Sequence, residues 1–463
     1  MFDVFFLIMA TFFGPEFPSL VGAILTLFVV IVAAKKSFLC PKEVWDFEPR
    51  ENWHADWLSK QEVRKDVDNG MSAVLGGMIL LGVDPLGLVR ESIKIPSREN
   101  TIKILYLEVC SMFHLSFEQE ITLIKRLVMA QGVSEADAAS LAAVVTHSDF
   151  TGTYSHGLSR LCIYLRQYMA GALIAKPDFR CVKDSDTALV FDCGGGSGIV
   201  AVNSVYDAVL ERARKYGVAA GVARNSANIG CGGYYGHRMA DDNVIGIVVS
   251  NTYPCQSPFG GADRLIGTNP IILGCPTTNP NRPIVIDVST SGVAIGKVQA
   301  YRRENKEMPL DWANDYDGNP TSDPHKAYCV RPMGGHKGYG LAVFVDMFGG
   351  VLSDALTSPE IPFVEDMRPE ETGFAVILLD IAHFIDVERF KEHASLYASL
   401  IKNSRTATGV KEIFMPGEIE ARLIEERKVT GLDFSDALEA ELTELGRKCG
   451  ALGADGKLTD LLA

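Results

Sequence analysis

Two apolar runs, Pro270 to Cys275 and Pro283 to Val288, are each framed by Gly, Pro, Asn or Thr, a pattern that predicts buried strands feeding polar loops. Runs of the same kind predict strands at Val218 to Ala223, Ile245 to Ser250 and Phe374 to Ile381. Helical signals fill the gaps. Ser116 with Gln119, and Ser134 with Asp137, set a capping side chain three residues before its partner, so a helix starts at each, and the second runs toward His147. The next helix carries Leu161, Leu165, Tyr168 and Met169 on one side and stops at Gly171. Further helices are predicted over Val202 to Tyr216, near Gly233 to Asp241, over Gly338 to Leu352 and Val387 to Ile401, with another starting at Gly417 and Glu418. Alternating strands and helices predict an α/β class.

The first part of the chain follows no such pattern. Residues 1 to 36 form a hydrophobic segment: Val4 to Phe13 is almost wholly apolar, Pro15 and Pro18 interrupt, and Leu20 to Ala34 is uncharged before Lys35 and Lys36. That second run is short of the roughly 20 residues a spanning helix wants, and its basic flank would leave the remainder in the cytoplasm if it inserted. A cleaved signal peptide fits poorly, because no basic region precedes the apolar stretch. Residues 37 to 111 are an unassigned extension, in which the Gly-rich apolar stretch Met71 to Leu88 is broken by Asp84 and Pro85. The first 111 residues read either as a fused membrane anchor or as the product of a misplaced gene start. Any membrane contact is expected through residues 1 to 34 alone, with residues 112 to 463 as a cytoplasmic catalytic region.

A chain of 463 residues can bury a sizeable core. Its formal charge of -14 argues against nucleic acid as a partner, since phosphate binding needs a basic face. The ten cysteines are scattered, with no C-x-x-C pair and no His/Cys cluster at zinc spacing, which favours reduced thiols and predicts no metal.

The tips of the first two strands carry Gly267, Thr268, Asn269 and Pro270 on one side and Asp287, Ser289, Thr290 and Ser291 on the other. Hydroxyls, an amide and a carboxylate there can hold a ribose or a carboxyl group, although turns use the same residues for local hydrogen bonds. Asp192 to Gly198, DCGGGSG, is not a G-x-G-x-x-G phosphate loop, because Ile199 stands where the third Gly should be.

Four segments together resemble the type 2 malate/L-lactate dehydrogenase family, which includes ureidoglycolate, sulfolactate and cyclic imino acid oxidoreductases. They are GTNP at Gly267 to Pro270, the D-x-x-T-S strand end at Asp287 to Ser291, SHGLSR at Ser155 to Arg160, and GGHKGYG at Gly334 to Gly340. The resemblance runs in order from about Leu115 to near the C-terminus. It implies that family's own non-Rossmann NAD(P)-binding α/β fold, with a helical N-terminal part of the catalytic region, in a homodimer. It also implies cofactor contacts at Thr252, at Asp287, Val288 and Ser289, at Lys337 and Gly338, and at Gly417, Glu418 and Ile419.

Reduction of a 2-oxo acid needs a cation for the carboxylate, a proton donor near the carbonyl oxygen and a nicotinamide against the carbonyl carbon. Arg160 lies four residues after His156, so a helical segment would put both on one face, and its planar fork suits a carboxylate. With Ser155, Thr268 and Asn269 it makes up the expected substrate site. The family usually carries His in an N-S-x-H-x-G loop; in this chain Asn228 stands at that place. An amide does not titrate near neutral pH, although it can donate a hydrogen bond to a carbonyl oxygen. His156 is the better candidate for proton donor, with Lys337 second. His237 is a poor one, because nine helical residues would carry it roughly 13 Å along the axis. His147, His325, His336, His383 and His393 are expected in packing or surface roles.

The expected activity is NAD- or NADP-dependent interconversion of a small 2-hydroxy acid, of malate or lactate type, and its 2-oxo acid. Arg224 and Arg264 are the residues available to a 2'-phosphate, and the choice between NAD and NADP stays open. Two alternatives remain: reduction of a cyclic imino acid, whose iminium arrives already protonated, and a catalytically silent cofactor-binding homologue in which Asn228 has stopped the chemistry.

Overall fold

A computed structural model describes residues 113 to 462, so the hydrophobic segment 1 to 36 and the extension 37 to 111 lie outside the described residues. Strand β1 (Phe113–Leu115) leads into three helices, α1 (Phe117–Met129), α2 (Glu135–Phe150) and α3 (Leu158–Ala170). Ser116 and Gln119 form the reciprocal capping pair at the start of α1, and Ser134 accepts from the Asp137 N–H at the start of α2. Helix α3 ends on Gly171, whose left-handed φ of 75° a residue with a Cβ adopts only under strain.

Strands β2 (Arg180–Asp184) and β3 (Ala188–Asp192) precede helix α4 (Gly198–Tyr216), strand β4 (Val218–Ser226), helix α5 (Gly232–Asp241) and strand β5 (Val244–Ser250). The two apolar runs at Pro270 to Cys275 and Pro283 to Val288 form β6 (Ile271–Cys275) and β7 (Ile284–Val288). A smaller section follows with helix α6 (Ile295–Arg303) and the short strands β8 (Ala313–Asn314), β9 (Pro320–Thr321) and β10 (Cys329–Val330). Then come α7 (His336–Asp346), β11 (Thr372–Asp380), α8 (Val387–Lys402), α9 (Glu418–Thr430), β12 (Leu432–Phe434) and α10 (Asp436–Lys448).

The main sheet has the order β2-β3-β4-β11-β5-β6-β7. Of its neighbouring pairs β3 with β4 is parallel and the others are antiparallel, which is not the doubly wound parallel order of a Rossmann sheet. Helices α4 and α5 cover one face through Val202, Val205, Tyr206, Tyr235 and Met239, against Val248, Ile272, Phe374 and Val376. A separate core gathers α1, α2 and α3 with Leu442 and Leu445 of α10 and the C-terminal Leu458 and Leu461. Strand β1 pairs with β12, joining the two ends of the described chain.

Two helices differ from the sequence reading. Helix α4 begins at Gly198, not Val202: a Cβ there would lie 2.0 Å from the Ala227 carbonyl oxygen, so glycine lets the first turn approach the loop after β4. Helix α7 begins at His336 and stops being regular at Asp346. The chain continues as a wider π turn, Met347–Val351, which brings Gly349 within 2.9 Å of the Gly373 carbonyl, measured from where its Cβ would stand.

Two carboxyl groups lie inside the helical core. Glu120 and Asp149 are almost wholly buried, and Asp149 Oδ2 accepts the Leu158 N–H at 2.7 Å, fixing the first turn of α3. Burial pushes Asp149 up from 3.8 to about 7 and raises Glu120 well above its ordinary value, with Asp149 adding to the effect on Glu120. The folded chain therefore holds more protons than the unfolded chain between about pH 4 and pH 7, and its stability should fall as pH rises through that window. Asp149→Asn keeps an oxygen for the Leu158 N–H and removes the titration. Urea unfolding from pH 5 to 8 should show this variant losing about 2 kcal/mol less stability than the parent; parallel curves would contradict the assignment.

Candidate active site

Helix α3 presents Arg160, Tyr164 and Gln167 at i, i+4 and i+7, hence on one face. The Arg160 guanidinium lies 5.5 Å from the centre of the Tyr164 ring, and its Nε is buried without a hydrogen-bond partner. Burial opposes its charge, but Tyr164, Glu370 and Tyr253 more than offset this and hold its pKa above the usual value. A half-buried cation with a buried, unused donor is prepared for an anion.

The Tyr164 hydroxyl donates to Asn228 Oδ1 at 2.6 Å, and the Gly230 N–H donates to the same oxygen at 3.0 Å. The amide is thereby fixed by its oxygen. Its Nδ2 makes no hydrogen bond to a described residue and remains available as a donor. Burial, the largest influence, pushes the Tyr164 phenol up to about 12, so near neutrality it stays protonated. Gln167 Nε2 donates to Glu370 Oε1 at 2.8 Å.

His156 reaches this group by a different route from the one expected. Tyr154–His156 is a 3-10 turn, and Gly157, with φ -87° and ψ -144°, separates it from α3, so His156 and Arg160 do not share a helix face. Glycine is required at 157, because a Cβ would stand 1.9 Å from Asp149 Oδ1. Arg160 nonetheless acts on His156: burial first, and the Arg160 charge second, lower the His156 pKa to about 4. Its Nδ1 lies 2.9 Å from Ser155 Oγ. At neutral pH His156 is uncharged, which makes it a poor acid while Arg160 is unpaired.

On the adjoining side Asp287, at the end of β7, accepts the Gly233 N–H at 2.7 Å where α5 begins, and Cys231 Sγ lies 3.8 Å away. Asp287 keeps open surface although protein atoms crowd round its carboxylate, and their desolvation of it raises its pKa. Ser289 Oγ and Ser291 Oγ are 3.1 Å apart, and the Val288 side chain is exposed. His237 also departs from expectation. Helix α5 starts only at Gly232, so the assumed nine-residue helix does not exist, and His237 packs 5.2 Å from His147, which in turn packs 5.7 Å from Tyr234. Burial, with His237 second, holds His147 down at about 3. No local pattern in the sequence signals this pair. Among the described residues no group of three or more His, Cys, Asp or Glu could hold a metal.

Several expected contact residues are occupied within the protein. Asn269 is fully buried, its Nδ2 donating to Ala342 O and Asp346 Oδ2 and its Oδ1 accepting from Thr252 N and Ser358 Oγ, so it ties β6 to α7 and is not open to substrate. Thr268 is similarly engaged: its N–H donates to Thr252 Oγ1 at 2.9 Å and its carbonyl accepts from Thr290 Oγ1 at 2.9 Å. The Glu418 carboxylate is buried and held by Lys402 and Arg422, so it cannot serve a cofactor as a free acceptor. Gly417, with φ 82°, sits against Val285 of β7, while the Ile419 side chain is exposed. Gly338 has the Met333 carbonyl where a Cβ would go, a packing position.

Lys337, in the first turn of α7, forms no ion pair or hydrogen bond with a described residue. Just before it Gly334 and Gly335, both with left-handed φ, form part of a cleft of about 610 Å³ with Phe259, Gly261, Gly292 and Arg331. Of the two arginines available to a 2'-phosphate, Arg224 is paired with Asp192 and Asp354, and Arg264 lies between the Tyr328 and Phe363 rings at 4.4 and 5.1 Å.

Comparison with known proteins gives two family matches. Residues 115–443 match the malate/L-lactate dehydrogenase family, and residues 1–162 match the L-lactate permease family. Malate dehydrogenase from Pyrococcus horikoshii is 32% identical over 340 residues, covering 71% of this chain and 94% of that protein. Ureidoglycolate dehydrogenase (NAD(+)) from Escherichia coli K12 is 28% identical over 318 residues, covering 68% of this chain and 90% of that protein. The solved sulfolactate dehydrogenase from Methanocaldococcus jannaschii superimposes with a TM-score of 0.69 at 32% identity, covering 75% of this chain and 99% of that one. The chain belongs to the malate/L-lactate dehydrogenase family, oxidoreductases that act on the CH–OH group of 2-hydroxy acids.

Proposed function

We propose that residues 112 to 463 form the catalytic region and interconvert a small 2-hydroxy acid and its 2-oxo acid with NAD or NADP. The observation that carries this reading is the α3 face, where Arg160 keeps a buried, unused donor beside an Asn228 amide fixed by Tyr164. The donor set suits a nicotinamide dinucleotide: an open carboxylate at Asp287, a half-buried hydroxyl at Ser289, an unpaired Lys337, and a glycine-lined cleft of about 610 Å³. When bound, that cofactor supplies or accepts the hydride.

The chain's own residues divide the remaining work. Arg160 holds the substrate carboxylate, and Asn228 Nδ2 donates to the carbonyl oxygen, stabilising the negative charge that grows there. A carboxylate on Arg160 also cancels the cation that helps depress His156, so substrate binding raises the His156 pKa and lets it deliver a proton. Lys337 is the second choice for that role. The match of residues 1–162 to the L-lactate permease family supports a lactate-type substrate and a membrane-associated N-terminal segment.

The test is oxidation of NADH and NADPH by the full chain and by residues 112 to 463, against 2-oxo acids and cyclic imines. Turnover of imines alone would favour the second reading, cyclic imino acid reduction, which the absence of a titrating group at Asn228 supports. Cofactor binding with no turnover of any substrate would leave a silent homologue.

A homodimer is part of the proposal. Helix α7 and the turn after it expose Leu341, Phe344, Met347, Val351 and Leu352, with Phe344 at 65% and Leu352 at 60% of full exposure. A second copy covering this stripe would also steady Lys337 at the start of the same helix. Phe344→Glu is expected to sediment as a monomer where the parent sediments as a dimer, and a monomeric parent would remove the dimer from the proposal.

A further inference from the structure

Building on the reading that Arg160 holds the substrate carboxylate, we propose that Glu370 sets the substrate class, rejecting a second anionic group and confining the site to small monocarboxylates. Glu370 stands just before β11, is only 8% exposed, and is tied by one oxygen to Gln167, 2.8 Å away. Gln167 is the third member of the helix face that begins with Arg160 and Tyr164, so the hydrogen bond anchors a carboxylate to the wall that carries the cation. The other Glu370 oxygen makes no hydrogen bond to a described residue.

The electrostatic environment agrees with this placement. After burial, the groups acting on the Tyr164 and Tyr253 phenols include both Arg160 and Glu370, so these four side chains occupy one neighbourhood. One substrate carboxylate balances Arg160. A second carboxylate or a sulfonate would meet Glu370 with no further arginine or lysine on this helix face to receive it. A monocarboxylate with a methyl or hydroxymethyl tail meets no such repulsion.

A simpler role for Glu370 would be a strut that holds its loop against α3 through Gln167. A strut would weaken every ligand together; a specificity residue changes the ratio between ligands.

The experiment is calorimetric titration of the full chain and of Glu370→Gln, with NADH present, using oxamate as the monocarboxylate probe and tartronate as the dicarboxylate probe. The parent should bind oxamate at least about tenfold more tightly than tartronate, and the variant should narrow that ratio by about tenfold. Equal affinities in the parent, or an unchanged ratio in a folded variant, would overturn the role of Glu370 while leaving Arg160 in place. Failure of the parent to bind either probe would overturn the Arg160 reading and this proposal with it. Should Glu370→Gln not fold, the parent's ratio decides.

Discussion

Replacing Arg160 with Ala should reduce kcat/KM for the 2-oxo acid by roughly 10² to 10³-fold, the usual consequence of removing one partner from a desolvated charge pair. Most of the loss should appear in KM, because the carboxylate is bound in both ground and transition states, with a smaller loss in kcat from poorer orientation. Arg160→Lys keeps the charge but not the two-point fork, and should recover only part of the loss. A second readout is independent of turnover. Arg160 contributes, after burial, to holding His156 near 4, so Arg160→Ala should move the His156 titration upward in an NMR experiment while leaving it below its ordinary value. A variant with unchanged KM and an unmoved His156 titration would place the substrate elsewhere.

How far the sequence reaches depends on whether a feature is local. The capping pairs at Ser116 and Ser134, the stop at Gly171 and the β6 and β7 strands need only neighbouring residues, and each lies where it was expected. The partners of Arg160 are another matter. Tyr164 meets Asn228 across 64 residues of chain and Gln167 meets Glu370 across 203, so neither pair leaves a spacing to read. Nor does a polar residue at a strand end or helix start reveal which way it turns. Asn269 and Glu418 have the chemistry of ligand contacts, yet the fold uses both as internal ties. His156 shows the opposite case: the helix argument that paired it with Arg160 fails at Gly157, yet the turn that precedes α3 still leaves His156 within the electrostatic reach of Arg160.

Asn228→His offers the sharpest test of how this site manages proton transfer. In the parent the amide can polarise a carbonyl but cannot lose or gain a proton near neutral pH, so any acid limb in the rate of reduction must come from another group, His156 first. An imidazole at 228 would sit beside the Tyr164 hydroxyl, which now donates to the amide oxygen at 2.6 Å, and near Arg160. Uncharged, it should accept the same hydrogen bond; protonated, both its ring nitrogens are donors and the Tyr164 hydroxyl must turn to accept, and losing the Gly230 N–H contact costs about 1 kcal/mol of stability. As a general acid it should raise kcat for reduction by roughly 10²-fold at low pH. The sign follows from the proton: the protonated imidazole is the active form, so this gain falls as pH rises through its pKa. That pKa should lie below the ordinary 6.5, since the same burial and the same Arg160 act on His156. In the double variant with His156→Ala the new limb should persist, whereas His156→Ala alone should abolish the parent's. A folded Asn228→His protein that binds cofactor and substrate but shows neither a faster chemical step nor a new limb would mean that position 228 does not face the carbonyl oxygen. The fixed amide beside Tyr164 would then be a structural contact.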